Sequence, residues 1–147
     1  ASSDGMARST DSGLHWKIIQ SISGGIFGGV VSTGAGNPLY ASGDAGVYAS
    51  TDGGETFKLV NTGITYGSLT ASTTQPHILY GRTGTGVYRS TDGGTSWQVL
   101  PHIAGNLFAL AADPRHASQV YLTLSYPTEV YHFDQASQTW TSLTPKP

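Results

Sequence analysis

The chain of 147 residues contains no cysteine, which excludes disulfides, thiolate metal sites and cysteine nucleophiles. Charge is scarce as well: 11% of residues are Asp, Glu, Lys or Arg, and the formal net charge is −2. So few basic groups provide no basic face for nucleic acid and no polybasic patch for an anionic membrane surface. No stretch approaches the roughly 18 apolar residues that a membrane-spanning helix needs, so no membrane insertion is expected. The opening ASSDGMARS lacks the charged-then-apolar layout of a signal peptide. The first residue is Ala1 rather than methionine, which suits an excised fragment. Sustained helical periodicity is missing too.

What the chain has in quantity is turn and strand material. Twenty glycines, 10% aromatics and many Ser and Thr predict an all-β fold rich in tight turns. The length is that of one ordinary domain.

The turns repeat. Trp16, Phe57, Trp97 and Trp140 follow similar turns, spaced by 41, 40 and 43 residues. Val47-Tyr48, Val87-Tyr88 and Val130-Tyr131 keep the same register, with Met6-Ala7 in the matching place of the first copy. Tyr40, Tyr80 and Tyr121 close the preceding strand, and Pro38, Pro76 and Pro114 mark the turn before it at a constant spacing of 38. Independent landmarks in one register define a repeat of about forty residues. In the third unit the pattern predicts strands at 67–72, 78–82, 86–90 and 97–100. Four antiparallel strands per unit is the layout of a propeller blade, whose sheet buries both faces against its neighbours. The expected fold is an all-β partial β-propeller of about 3.5 blades: a half blade at 1–22 and blades at 23–63, 64–103 and 104–147.

STDSGLHW at 9–16, STDGGETF at 50–57 and STDGGTSW at 90–97 resemble the Asp-box, the Ser-x-Asp-x-Gly-x-x-Trp hairpin also called the bacterial neuraminidase repeat. The longer unit QPHILYGRTGTGVYRSTDGGTSW is similar to the repeat of photosystem II stability factor-like proteins, sortilin-type receptors and xyloglucan-hydrolysing propellers. The resemblance implies a propeller, with these hairpins on the face opposite the usual binding site. Ser9, Asp11, Gly13 and Trp16 form the first box; Ser50, Asp52, Gly54 and Phe57 the second; Ser90, Asp92, Gly94 and Trp97 the third. Glycine supplies the backbone angles, Asp and Ser tether nearby amides, and the aromatic covers the hairpin and fills space between blades. The fourth copy, FDQASQTW, keeps Trp140 but has Phe133, Gln135 and Ser137 where Ser, Asp and Gly stood.

Chemistry is harder to find. A sialidase-like site needs an arginine cluster, a tyrosine nucleophile and an acid, yet the arginines are only Arg8, Arg82, Arg89 and Arg115. A xyloglucanase-like site needs two carboxylates across a cleft. Outside the boxes the acids are Asp4, Asp44, Glu55, Asp113, Glu129 and Asp134, with Asp44 and Asp113 reading as turn formers. His15, His77, His102, His116 and His132 lack metal-ligand spacing, so neither a metal nor a cofactor is expected. SGGIFGGV, at 23–30, lacks a following GK[ST] and reads as a crowded inner strand. Propeller geometry nominates the loops between second and third strands and between blades as a binding face, carrying Tyr66, Arg82, His102, Asn106 and Tyr126. The expectation is a non-catalytic module for a protein or glycan ligand, outside the cytoplasm (extracellular or periplasmic). The alternative is part of a glycoside hydrolase whose acids lie in other blades. Open edges at about 3.5 blades further predict self-association into a homodimer, since two copies supply about seven.

Overall fold

The computed structural model describes residues 6–19, 22 and 25–145, without the side chains of residues 26–28. The first five residues of the half blade expected at 1–22, with Asp4, lie outside the described residues, as do residues 23 and 24 of the glycine-rich stretch. Every regular element among the described residues is a strand. A two-stranded sheet pairs β1 (Met6–Arg8) with β2 (Lys17–Ile19). Three four-stranded antiparallel sheets follow, each ordered as in the sequence. The first holds β3 (Ile26–Ser32), β4 (Leu39–Gly43), β5 (Gly46–Ser50) and β6 (Lys58–Thr62). The next holds β7 (Ser68–Ala71), β8 (Leu79–Arg82), β9 (Val87–Ser90) and β10 (Gln98–Val99). The last holds β11 (Leu107–Ala112), β12 (Gln119–Ser125), β13 (Thr128–Asp134) and β14 (Thr139–Ser142).

Strand alternation decides which core each side chain enters. In β4, Leu39 and Ala41 pack with Ile19, Tyr48 and Phe57 toward β1–β2, whereas Tyr40 between them joins Leu69, Leu79 and Trp97 of the next sheet. In β8, Leu79 faces back into that second core and Tyr80 faces forward to Val120, Leu122 and Phe133. A period-2 strand buried on both faces thus stitches consecutive cores together. Each large apolar side chain so buried contributes about 1.5 to 3 kcal/mol. The turn joining the inner two strands is closed by a buried polar side chain in every four-stranded sheet. Thr33 donates to the Pro38 carbonyl at 3.0 Å, Ser72 accepts from the Thr74 and Gln75 amides at 3.2 and 3.1 Å, and Asp113 accepts from the Arg115 and His116 amides at 2.8 and 2.9 Å. The Arg115 amide leads the set of donors that hold the Asp113 carboxyl down to about 2, against the opposing effect of burial.

The three Ser-x-Asp hairpins share one hydrogen-bond pattern. In the third, Ser90 donates to Asp92 Oδ1 at 2.8 Å and accepts from the Gly94 amide at 2.9 Å, while the Ser96 amide donates to Asp92 Oδ1 at 2.9 Å. Ser9 with Asp11 and Ser50 with Asp52 repeat the arrangement. Gly13, Gly54 and Gly94 have φ of 91°, 86° and 87°, a conformation that disfavours any side chain. Burial alone would raise the Asp92 carboxyl, but the Ser96 hydroxyl and amide and the Ser90 hydroxyl together lower it. Asp92→Ala is expected to lower the unfolding free energy by about 1 to 2 kcal/mol. Because the folded pKa lies below the roughly 3.9 of an unfolded aspartate, this contribution is full above that value and is lost as pH falls through the folded one. Urea titrations between neutral pH and pH 3 check both points: an unmoved midpoint at neutral pH, or an unaltered acid dependence, contradicts the account.

One expectation about the aromatics needs correcting. Trp97 rests on Tyr66 with ring centroids 4.4 Å apart, and Phe57 is buried. Trp16, however, is 65% exposed: its indole N–H caps the Gly13 carbonyl at 3.0 Å, but the two-stranded β1–β2 sheet places no ring beneath it of the kind Tyr66 provides for Trp97. Trp140 packs on Phe133 at 5.0 Å and donates to the Pro101 carbonyl in the preceding loop, not to its own turn.

Candidate functional site

The loops at the end opposite the Ser-x-Asp hairpins are tied into a continuous rim. Arg82, the last residue of β8, accepts from the Gly67 amide through its carbonyl at 2.9 Å and donates from its guanidinium to the Leu107 carbonyl at 2.9 Å. Asn106, next to Leu107, accepts from the Ser125 amide at 3.0 Å, and Ser125 leads directly into Tyr126. The Arg82 side chain and these backbone bonds therefore gather Arg82, Asn106 and Tyr126 from two successive sheets. Tyr126 is 82% exposed at the tip of the β12–β13 turn, where its bond to Pro127 is cis. His102 is exposed in the same β10–β11 loop as Asn106.

Tyr66 does not belong to this rim. Its side chain is fully buried, edge-on to Tyr88 at 5.6 Å and against Trp97, and its hydroxyl has no hydrogen-bond partner. Burial, assisted by Tyr88, pushes its ionisation well above the ordinary tyrosine range. A signal for this existed in the sequence: Gly81, inside β8, leaves room for the ring, since a Cβ there would sit 2.5 Å from Tyr66. Arg82 is likewise half committed, one guanidinium nitrogen held by Leu107 and Nε buried without a partner.

Among the described residues two carboxylates stand at this end, and each is engaged by its own chain. Asp44 accepts from the Gly25 amide at 2.6 Å, and Glu129 accepts from the Tyr131 hydroxyl at 2.7 Å. They belong to sheets separated by the whole of β7–β10. Asp11, Asp52, Asp92 and Asp113 stay in the turns of the opposite end. Among the described residues there is no group of three or more His, Asp or Glu side chains placed to hold a metal ion.

A second concavity escaped the sequence reading. A cleft of about 320 Å³ opens between β1–β2 and the Glu55 turn, lined by Arg8, His15, Trp16, Lys17 and Glu55. Arg8 and Glu55 pair across it at 3.5 Å. Its walls come from units forty residues apart, so no local motif announces it.

No model of a known protein family matches the chain, nor does the sequence of any curated protein. Solved structures do match. The GH74 enzyme of Niastella koreensis superposes with a TM-score of 0.71 at 21% identity, over 95% of this chain and 26% of that chain. YCF48 bound to D1 peptide gives 0.59 at 17% identity, over 82% and 40%. A chain of the nidogen/laminin complex gives 0.65 at 11% identity, over 81% and 48%. The chain thus spans about a quarter of the GH74 enzyme's length. Sheets ordered outward from an inner strand, stacked face to face and superposing on these proteins, make the fold that of a partial β-propeller.

Proposed function

We propose that the chain is part of a non-catalytic propeller module of the Asp-box type, which presents its loop face to a protein ligand. The observation that carries this reading is the rim itself: Tyr126 is freely exposed next to Ser125, which is bonded to Asn106, while Arg82 reaches the Leu107 carbonyl beside Asn106 and His102 is exposed in the Asn106 loop. An aromatic face next to amide and cationic donors suits stacking combined with hydrogen bonding to an extended chain. YCF48 in complex with a D1 peptide and the nidogen/laminin complex make a peptide or protein the favoured ligand, with a glycan second. Such a module fits an extracellular or periplasmic setting.

The likeness to GH74 enzymes supports a second reading, in which the chain is one part of a glycoside hydrolase. The separate, engaged carboxylates Asp44 and Glu129 form no facing pair of the kind glycoside hydrolysis uses, so this reading places at least one reacting acid in another blade. Selecting a displayed dodecapeptide library on the purified chain distinguishes the two. Enriched peptides are expected to lose about tenfold in affinity for Tyr126→Ala, on the scale of an interface anchor. Release of reducing ends from xyloglucan, abolished by Asp44→Asn, would instead establish the hydrolase.

A further inference from the structure

In an Asp-Gly pair the glycine amide can attack the aspartate side chain with little hindrance, because glycine carries no side chain to stand in the way. Among the described residues the pair occurs at Asp52-Gly53 and Asp92-Gly93, at the same place in two hairpins of nearly identical sequence. The carboxylates are held alike. Asp52 accepts from the Ser50 hydroxyl and from the Thr56 amide and hydroxyl, and Asp92 accepts from the Ser90 hydroxyl and from the Ser96 amide and hydroxyl. The glycine amides differ. The Gly93 N–H donates at 2.9 Å to the His77 carbonyl, in the turn between β7 and β8, and Gly93 is half-buried. The Gly53 N–H has no hydrogen-bond partner among the described residues, and Gly53 is exposed.

Turn length accounts for the difference. Thr33 and Ser72, which close the two inner turns, stand seven and eight residues before Tyr40 and Tyr80. The β3–β4 turn is therefore one residue shorter, and no carbonyl of it accepts from the Gly53 amide. A pocket of about 270 Å³ lies between them instead, lined by Ser32, Asn37, Thr51 and Gly53. Polar walls and that volume leave room for water beside the free amide.

We propose that Asp52-Gly53 is a site of spontaneous isomerisation to isoaspartate, from which Asp92-Gly93 is shielded by the bond between Gly93 and His77. In the first step the Gly53 nitrogen bonds to Cγ of Asp52 and gives up its proton, and one carboxyl oxygen leaves as water, closing a five-membered succinimide. Water then reopens the ring. Attack at the side-chain carbonyl restores aspartate, whereas attack at the backbone carbonyl leaves the main chain running through Cγ. One water leaves and one returns, so the step needs no other reactant. The peptide plane has to turn as the ring closes: Gly93 must first break its bond to His77, and Gly53 has no such bond to break. Water is lost from the neutral carboxyl, so the Thr56 hydroxyl and amide and the Ser50 hydroxyl, which hold Asp52 well below the usual carboxylate range, slow the reaction without blocking it. The product carries an extra methylene in the backbone and one fewer in the side chain, so the Ser50 and Thr56 donors no longer fit it.

The test holds the purified chain at neutral pH for several weeks, folded and in parallel in concentrated guanidinium, then measures isoaspartate at each site by digestion and electron-transfer fragmentation. In the folded chain, conversion at Asp52 is expected to exceed that at Asp92 by at least about fivefold, the equivalent of the one hydrogen bond that Gly93 must break. In guanidinium the two sites are expected to convert equally, because both sit in Ser-Thr-Asp-Gly-Gly. Thr56→Val keeps the amide bond to Asp52 and loses the hydroxyl. It is expected to speed conversion at Asp52 by at least about threefold and to leave Asp92 unchanged. Circular dichroism checks its fold; a variant that unfolds shows a rise at both sites, and the parent comparison then decides alone. Equal conversion at the two sites of the folded chain, an excess at Asp92, none at Asp52, or an excess at Asp52 that persists in guanidinium overturns the proposal.

Discussion

Replacing Gly46 with alanine is expected to abolish most folding, at a cost of about 4 kcal/mol or more, because overpacking and backbone strain act on one residue. Gly46 opens β5 with φ of 137°, and an added Cβ would sit 2.0 Å from the carbonyl oxygen of Asn61 and 2.9 Å from its carbon. The neighbour is backbone of β6, whose pairing with β5 shifts register between Val47 and Tyr48, and no rotamer change can relieve the clash. The β1–β2 and β7–β10 sheets are tied through this strand: Val47 enters the core of Tyr40 and Leu79, while Tyr48 enters that of Phe57. Gly84→Ala serves as the control, since a Cβ there meets nothing within 4 Å, and a change within about 0.5 kcal/mol is expected. Soluble yield and urea midpoints of the two variants decide the matter. Equal midpoints would show that the β5–β6 pairing adjusts far more than its geometry implies.

Truncating Phe133 to alanine is the second large effect, about 3 to 5 kcal/mol for a buried aromatic. Phe133 is fully buried, packs on Trp140 at 5.0 Å and belongs to the core of Tyr80, Val120 and Leu122. It occupies the place where Ser50 and Ser90 tether their turns. The fourth hairpin has exchanged a hydrogen-bonded serine for packing. Its turn is held by other means, with Asp134 accepting from the Ala136 amide at 3.1 Å and Gln138 at a φ of 56°. Phe133→Ser restores the repeat residue but not the Asp, and is expected to destabilise about as much as Phe133→Ala. Guanidinium unfolding followed by Trp140 fluorescence reads both. A loss under about 1 kcal/mol would place Phe133 outside the cooperative core.

Local chemistry explains what could be read from the chain. Strands expected at 67–72, 78–82 and 86–90 are observed as β7, β8 and β9, since alternation and turn residues act within a few positions. The stretch at 97–100 shrinks to Gln98–Val99, because Trp97 turns in to meet Tyr66 and Leu100 into the next core. The loop residues were less legible. Tyr66 and Tyr126 both follow strand-ending turns and look alike in sequence, yet one is fully buried and the other 82% exposed. The difference lies in what stands opposite: Gly81 opens a cavity for Tyr66, and nothing in the described chain covers Tyr126. The Arg8 to Glu55 cleft was illegible for the same reason, its walls being brought together by stacking rather than by sequence proximity.

The alternation of β4 and β8 between successive cores also governs how damage spreads. Leu39 and Ala41 serve one core and Tyr40 the next; Leu79 serves that core and Tyr80 the one after. Free energy is therefore held in links, each shared by two adjacent sheets, rather than pooled in a single interior. A lesion at Phe133 loosens its own link first and reaches Phe57 only through β8 and then β4. Hydrogen exchange in such a chain opens from the injured end inward, one sheet at a time, and the strand amides around Tyr48 keep their protection longest.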